Sequence, residues 1–149
     1  MKSIFEKEAL EEILNRLEQL QPNAERQWGK MNVEQMLAHC NETMFVVTDQ
    51  KVTKQRLIGK LIGRFFRKDY LGEAPLRKNS PTNPLFVITD ERVFTKEKEL
   101  LLKLVKQFSQ GGEEKCTKQP HSFFGPFTPK EWGISTYKHL DHHLQQFGA

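Results

Sequence analysis

Four stretches of this chain repeat their apolar residues every three to four positions while few stretches alternate them, and that restricts the fold to helices packed on helices. Phe5, Ala9, Leu10, Ile13, Leu14, Leu17 and Leu20 form the first stripe, with Ser3 and Glu6 at capping-box spacing before it and Pro22-Asn23 after it. Glu11, Glu12 and Glu18 are assigned to its wet face. Asn32 and Gln35 open a second helix, over 33–47, whose stripe is Val33, Met36, Leu37, Cys40, Met44 and Val47, with His39 beside it. A third begins at a cap on Thr89 or Asp90, buries Val93, Phe94, Leu100, Leu101, Leu104, Val105 and Phe108, and stops at Gly111-Gly112. The last starts at Thr128-Pro129-Lys130-Glu131, a capping box with proline at the first helical position.

Between the second and third stripes lies a different kind of segment. From Lys51 to Lys68 the basic residues Lys51, Lys54, Arg56, Lys60, Arg64, Arg67 and Lys68 meet no acid, and Leu57, Ile58, Leu61, Ile62, Phe65 and Phe66 recur at helical spacing among them. A short amphipathic helix over 54–66 is expected, its apolar face covering a core, with a membrane surface or an acidic partner as the alternatives. The stretch 68–90 then breaks into a long irregular connection, with one extended piece at Leu85–Ile88. Such a length suits a crossover between helices that run the same way. The sum is a single all-α domain over 1–149, a four-helix bundle with an added short helix and a long crossover loop.

Composition narrows the class further. A net charge of +4 is too mild to imply nucleic acid without a recognition motif, and none is present. No apolar run is long enough to span a membrane, and the acidic residues near the N-terminus leave no export signal, so the expected location is the cytoplasm. Cys40 and Cys116 could make one disulfide, which a reducing compartment disfavours.

Three of the five histidines fall between Tyr137 and Phe147. His139 and His143, four residues apart, share one helical face with Trp132 and Thr136, while Tyr137, Leu140, Leu144 and Phe147 line an adjacent one. Two imidazoles on one face can begin a metal site, with His142 competing for a place in it. A third ligand has to come from elsewhere, and His39 can face inward from the second helix.

With these residues in view, the chain resembles the DinB-like (YfiT-like) superfamily of metal-binding four-helix bundles. The likeness rests on Trp28-Gly-Lys-Met-Asn-Val-Glu-Gln-Met-Leu-Ala-His39 and on His139-Leu-Asp-His-His143. Within that superfamily it is most similar to a bacterial subgroup of uncharacterised domains, in Trp28–Met31 and in Gly125-Pro-Phe-Thr-Pro-Lys-Glu-Trp132. The resemblance implies a divalent metal, Zn or Ni, held by His39, His139 and His143, an up-down-down-up helix order and a homodimer. It also implies a small-molecule substrate, with either hydrolysis or thiol S-transfer of the bacillithiol type as the reaction.

A three-histidine site with an open position is the arrangement of catalytic metals. His121, next to aromatics ahead of the last helix, is the candidate acid or base from a mobile loop. Asp141, Gln146, Glu42 and Tyr137 are candidates to orient a ligand histidine, although solvated helix surface for Asp141, Gln146 and Glu42, and core packing for Tyr137, explain them more simply, as a loop contact does for His121. Cys40 is expected to be a core thiol, and Trp28 and Trp132 core or pocket lining. The competing function is a non-catalytic, dimeric interaction module in which any metal is structural or adventitious.

Overall fold

In the computed structural model, which describes residues 1–149, five α-helices follow one another: α1 (Lys7–Gln19), α2 (Val33–Val47), α3 (Leu57–Tyr70), α4 (Phe94–Gly111) and α5 (Pro129–Gln146). Single 3-10 turns lie at Pro84–Phe86 and Glu113–Lys115, and no strand forms. The two helices that carry the histidine group start where their own side chains dictate. Asn32 accepts from the Gln35 N–H at 2.8 Å and the Gln35 side chain accepts from the Asn32 N–H at 3.1 Å. Thr128 and Glu131 repeat the exchange at the start of α5, with Pro129 in the first turn. Each such cap is worth about 1 kcal/mol and, more to the point, fixes the rotation of the helix behind it.

Two expected caps do not form. The Ser3 carbonyl accepts from the Glu6 N–H at 2.9 Å, which closes a separate turn, so α1 begins only at Lys7. Asp90 is drawn instead to Arg92, at 3.0 Å, and α4 starts uncapped at Phe94 with Val93 exposed. The extended piece expected at Leu85–Ile88 is entered through the 3-10 turn, where the Asn83 side chain accepts from the Leu85 N–H at 3.1 Å and Phe86 goes inward. Glu12, assigned to the wet face, is half-buried and accepts from the Tyr137 hydroxyl at 3.0 Å.

One core joins four of the helices. Ile13 and Leu17 of α1, Met36, Leu37 and Met44 of α2, Leu101 and Leu104 of α4, and Leu140 and Leu144 of α5 are all essentially sealed from solvent. Each such side chain contributes roughly 1.5–3 kcal/mol by leaving water. Both α1 and α2 pack against α4 and α5. α5 therefore lies beside α2, and that contact is what can bring their histidines together. Cys40 is buried in this core and both cysteines are free.

α3 departs from expectation. It was expected to lay its apolar face on the core, but only Gly59 and Gly63 are buried, while Leu57, Leu61 and Phe65 are 78, 72 and 65 % exposed. The reason lies in the glycines. A Cβ at Gly59 or Gly63 would come within 2.2 or 2.4 Å of the Phe123 carbonyl oxygen, so the backbone of that loop occupies the face of α3 that lacks side chains. The helix docks by its narrowest stripe and turns its apolar arc outward. No helix is long and apolar enough to cross a membrane.

Candidate metal centre

His39, His139 and His143 converge. One ring nitrogen from each lies within 4.8 Å of the others, and Nε2 of His39 is 3.0 Å from Nε2 of His139. His39 and His143 are buried and His139 is half-buried.

The surroundings decide which nitrogen of each ring bears the proton. Nδ1 of His39 is 2.8 Å from the Phe86 carbonyl oxygen, which can only accept, so Nδ1 donates and Nε2 keeps its lone pair. Nδ1 of His143 is 2.8 Å from Oε1 of Gln146, whose amide is held the right way round by donating Nε2–H to the Trp28 carbonyl at 2.7 Å. That leaves Nε2 of His143 free as well. Thr43 donates its hydroxyl to the Cys40 carbonyl at 2.8 Å, so toward Nδ1 of His139, 3.4 Å away, it accepts. All three rings then keep an unprotonated Nε2, and one nitrogen of each ring lies within 4.8 Å of the others.

Charge follows the same direction. Burial lowers the pKa of His39 even though the Phe86 carbonyl favours its charged form. Burial, and then the neighbouring His39, push His143 down to about 3. His139 is held well below its usual value by burial, then by His143 and His39. Near neutral pH the group is three neutral imidazoles, the protonation state a divalent metal requires. Two nitrogens each about 2.05 Å from one ion are about 2.9 Å apart at a right angle and about 3.3 Å at the tetrahedral angle. The 3.0 Å His39–His139 separation falls between these values. The donor set fits Zn or Ni.

A cavity of about 60 Å³ opens beside His139, with Thr53, Tyr70, His121, Trp132 and Ser135 in its wall and no charged side chain. It has room for a few waters or for the reacting end of a small molecule, well below the roughly 300 Å³ of a whole-ligand pocket. Thr53 Oγ1 and Trp132 Nε1 are buried without a partner. Buried polar atoms in a cavity wall call for a polar occupant.

His121 is fixed, not mobile. Its backbone N–H donates to the Gly125 carbonyl at 2.8 Å, and its Nδ1 accepts from the N–H groups of Phe123 and Phe124 at 3.1 and 3.2 Å. Nε2 therefore bears the proton. Burial, and then Arg67, push the ring down to about 4, which suits a neutral hydrogen-bond donor in the cavity wall. Of the four residues considered as orienters, Gln146 alone hydrogen-bonds a ligand histidine. Glu42 pairs with Lys51, Asp141 pairs with Arg16 at 2.7 Å, and Tyr137 bonds Glu12. His142 lies outside the group, its ring 5.5 Å from that of Trp28. Trp132 lines the cavity and Trp28 supplies its carbonyl to Gln146.

Two partners of the site escaped the sequence reading. Thr43 stands one turn after His39 and could have been found from that spacing. The Phe86 carbonyl could not, because every residue carries one.

A family profile described as "Protein of unknown function (DUF1569)" matches residues 2–149. The chain belongs to the DUF1569 family. No curated protein and no solved structure matches it. In this DUF1569 chain the histidine group and the cavity adjoin through His139.

Proposed function

We propose that this DUF1569 domain is a metal-dependent enzyme of the DinB-like type, with His39, His139 and His143 holding a divalent metal, Zn or Ni. One observation carries the reading: Nε2 of His39 and Nε2 of His139 lie 3.0 Å apart, and the partners at Nδ1, the Phe86 carbonyl at 2.8 Å and Thr43 at 3.4 Å, assign a lone pair to each. Two lone pairs at that distance repel unless a cation lies between them. A shared proton is a poor substitute, since it would create an imidazolium where burial opposes charge.

When bound, the metal would supply Lewis acidity, activating a water for hydrolysis or a small thiol for S-transfer. The protein's own part is better defined. Gln146, Thr43 and the Phe86 carbonyl fix the three rings, and the cavity beside them is lined without a charged side chain. Nε2–H of His121 belongs to the one imidazole in the cavity wall outside the ligand group, so it is assigned to stabilise negative charge there by donating a hydrogen bond. The small-molecule substrate would enter with only its reacting end. An up-down-down-up helix order and a homodimer belong to the same proposal.

The second reading, a non-catalytic module whose metal is structural or adventitious, takes the same 3.0 Å contact as a hydrogen bond whenever no metal is bound. It requires His139 to move its proton to Nε2 and Thr43 to turn its hydroxyl toward Nδ1. Untagged protein stripped of metal, reloaded with Zn²⁺ or Ni²⁺ and run through ester-hydrolysis and thiol-transfer panels separates the two. The enzyme reading expects turnover that needs the metal and disappears in His139→Gln with helicity unchanged. Stoichiometric metal with no turnover in either panel favours the module.

A further inference from the structure

The outward arc of α3 is used by neither the core nor the metal centre. Leu57, Ile58, Leu61, Ile62, Phe65 and Phe66 are between 38 and 78 % exposed. At about 100° per residue they fill roughly half the circumference of the helix. Only Lys68 and Asp69, in the last turn, interrupt the arc. Single exposed apolar residues are ordinary, but a contiguous patch of six large ones marks an interaction surface.

The charges around the arc are one-sided. Lys51 pairs with Glu42 and Arg67 with Glu131, whereas Lys54, Arg56, Lys60, Arg64 and Lys68 are exposed and form no ion pair. The helix is also firmly mounted. The Phe123–Phe124 backbone seats Gly59 and Gly63, Arg67 grips Glu131 at 2.7 Å, and Lys138 donates to the carbonyls of Tyr70 and Gly72 at its C-terminal end. Its apolar arc is thus presented already folded, so binding need not order the helix backbone.

We propose that α3 docks this domain on an anionic lipid surface, seating its Leu, Ile and Phe arc at the headgroup boundary while the unpaired cations meet lipid phosphates. Apolar bulk on one side and lysine or arginine beside it is the combination an interfacial helix needs. A second copy of the chain fits less well. Self-contact would bring two unpaired basic flanks together. A helix of 14 residues is about 21 Å long and about 10 Å wide, a footprint well short of the roughly 800 Å² per partner of a stable dimer. Each cation held at an anionic surface strengthens binding about five-fold, and salt screens that gain.

Co-sedimentation of the full chain with vesicles tests the proposal. Binding is expected to phosphatidylglycerol-containing vesicles at low salt and to be at least about ten-fold weaker to pure phosphatidylcholine or in high salt. The doubly substituted Leu61→Ser, Phe65→Ser chain should lose binding. Lys60→Glu with Arg64→Glu should lose the anionic preference. All four side chains are exposed, so circular dichroism should report an unchanged fold. Wild-type protein that ignores anionic vesicles, or substituted chains that bind like wild type, would overturn it. So would a dimer, seen by light scattering, that stays off vesicles and dissociates in the Leu61→Ser, Phe65→Ser chain, since a second copy would then be the occupant of the arc.

Discussion

Nδ1 of His39 donates a 2.8 Å hydrogen bond to the backbone carbonyl of Phe86, so a residue of the long connection between α3 and α4 sets which nitrogen of a helical histidine faces His139. The connection between α3 and α4 is part of the site. The Asn83 side chain shapes the 3-10 turn that aims this carbonyl. Asn83→Ala should therefore weaken metal binding by about ten-fold, as loss of an orienting partner does elsewhere, while leaving the bundle folded. Competition with a coloured chelator reads the affinity directly.

Gln146 bridges His143 and the Trp28 carbonyl from a buried position. Gln146→Leu keeps similar bulk and removes both bonds. Metal affinity should fall about 10- to 100-fold. Stability of the metal-free protein should fall by about 1–3 kcal/mol, because the buried Nδ1–H and the carbonyl lose their partners. A urea melt of the stripped protein measures the second effect apart from the first.

His121 predicts a pH dependence with a definite sign. Its pKa is about 4 in the folded chain, and about 6.5 is the usual value once the chain unfolds. Between those values the unfolded state binds the proton and the folded state does not. The neutral ring's contribution is therefore fully present above about pH 6.5, declines as pH falls toward about 4, and levels off below. Its size is on the order of 3 kcal/mol. His121→Asn offers an acceptor to the Phe123 and Phe124 N–H groups without titrating, so its stability should vary less over that window, as denaturant melts at stepped pH would register.

Gly59 tests the mounting of α3. Alanine is the better helix former by about 1 kcal/mol, yet its Cβ would stand 2.2 Å from the Phe123 carbonyl oxygen. The clash with backbone should win. Gly59→Ala is expected to destabilise by about 1–3 kcal/mol. An unchanged thermal midpoint would mean that α3 is not held against that loop.

How far the sequence could be read follows from where each interaction is written. The periodic stripes and the reciprocal caps at Asn32 and Thr128 are local; both caps form as expected, and so do the helices the stripes announce, although Val93 and the apolar face of α3 are exposed. His139 and His143 share a face by spacing alone, and Gln146 is legible at i+3 from His143. The Asp90 cap failed because Arg92 offers its carboxylate a full charge, where a helix start offers only dipoles. The direction in which α3 turns its apolar arc was not legible, since a stripe states that a face is apolar and not what lies opposite it. Gly59 and Gly63 carried that information only in combination with the distant Phe123 carbonyl.

The central claim is that three imidazoles from α2 and α5 form one cation site. Zinc titration of untagged, metal-stripped protein by calorimetry tests it most directly. The account predicts one ion per chain, bound with release of heat or protons, and loss of that binding in His39→Gln and in His143→Gln chains that retain their helicity. Saturation absent in the wild type, or unchanged in those two substituted chains, would contradict it.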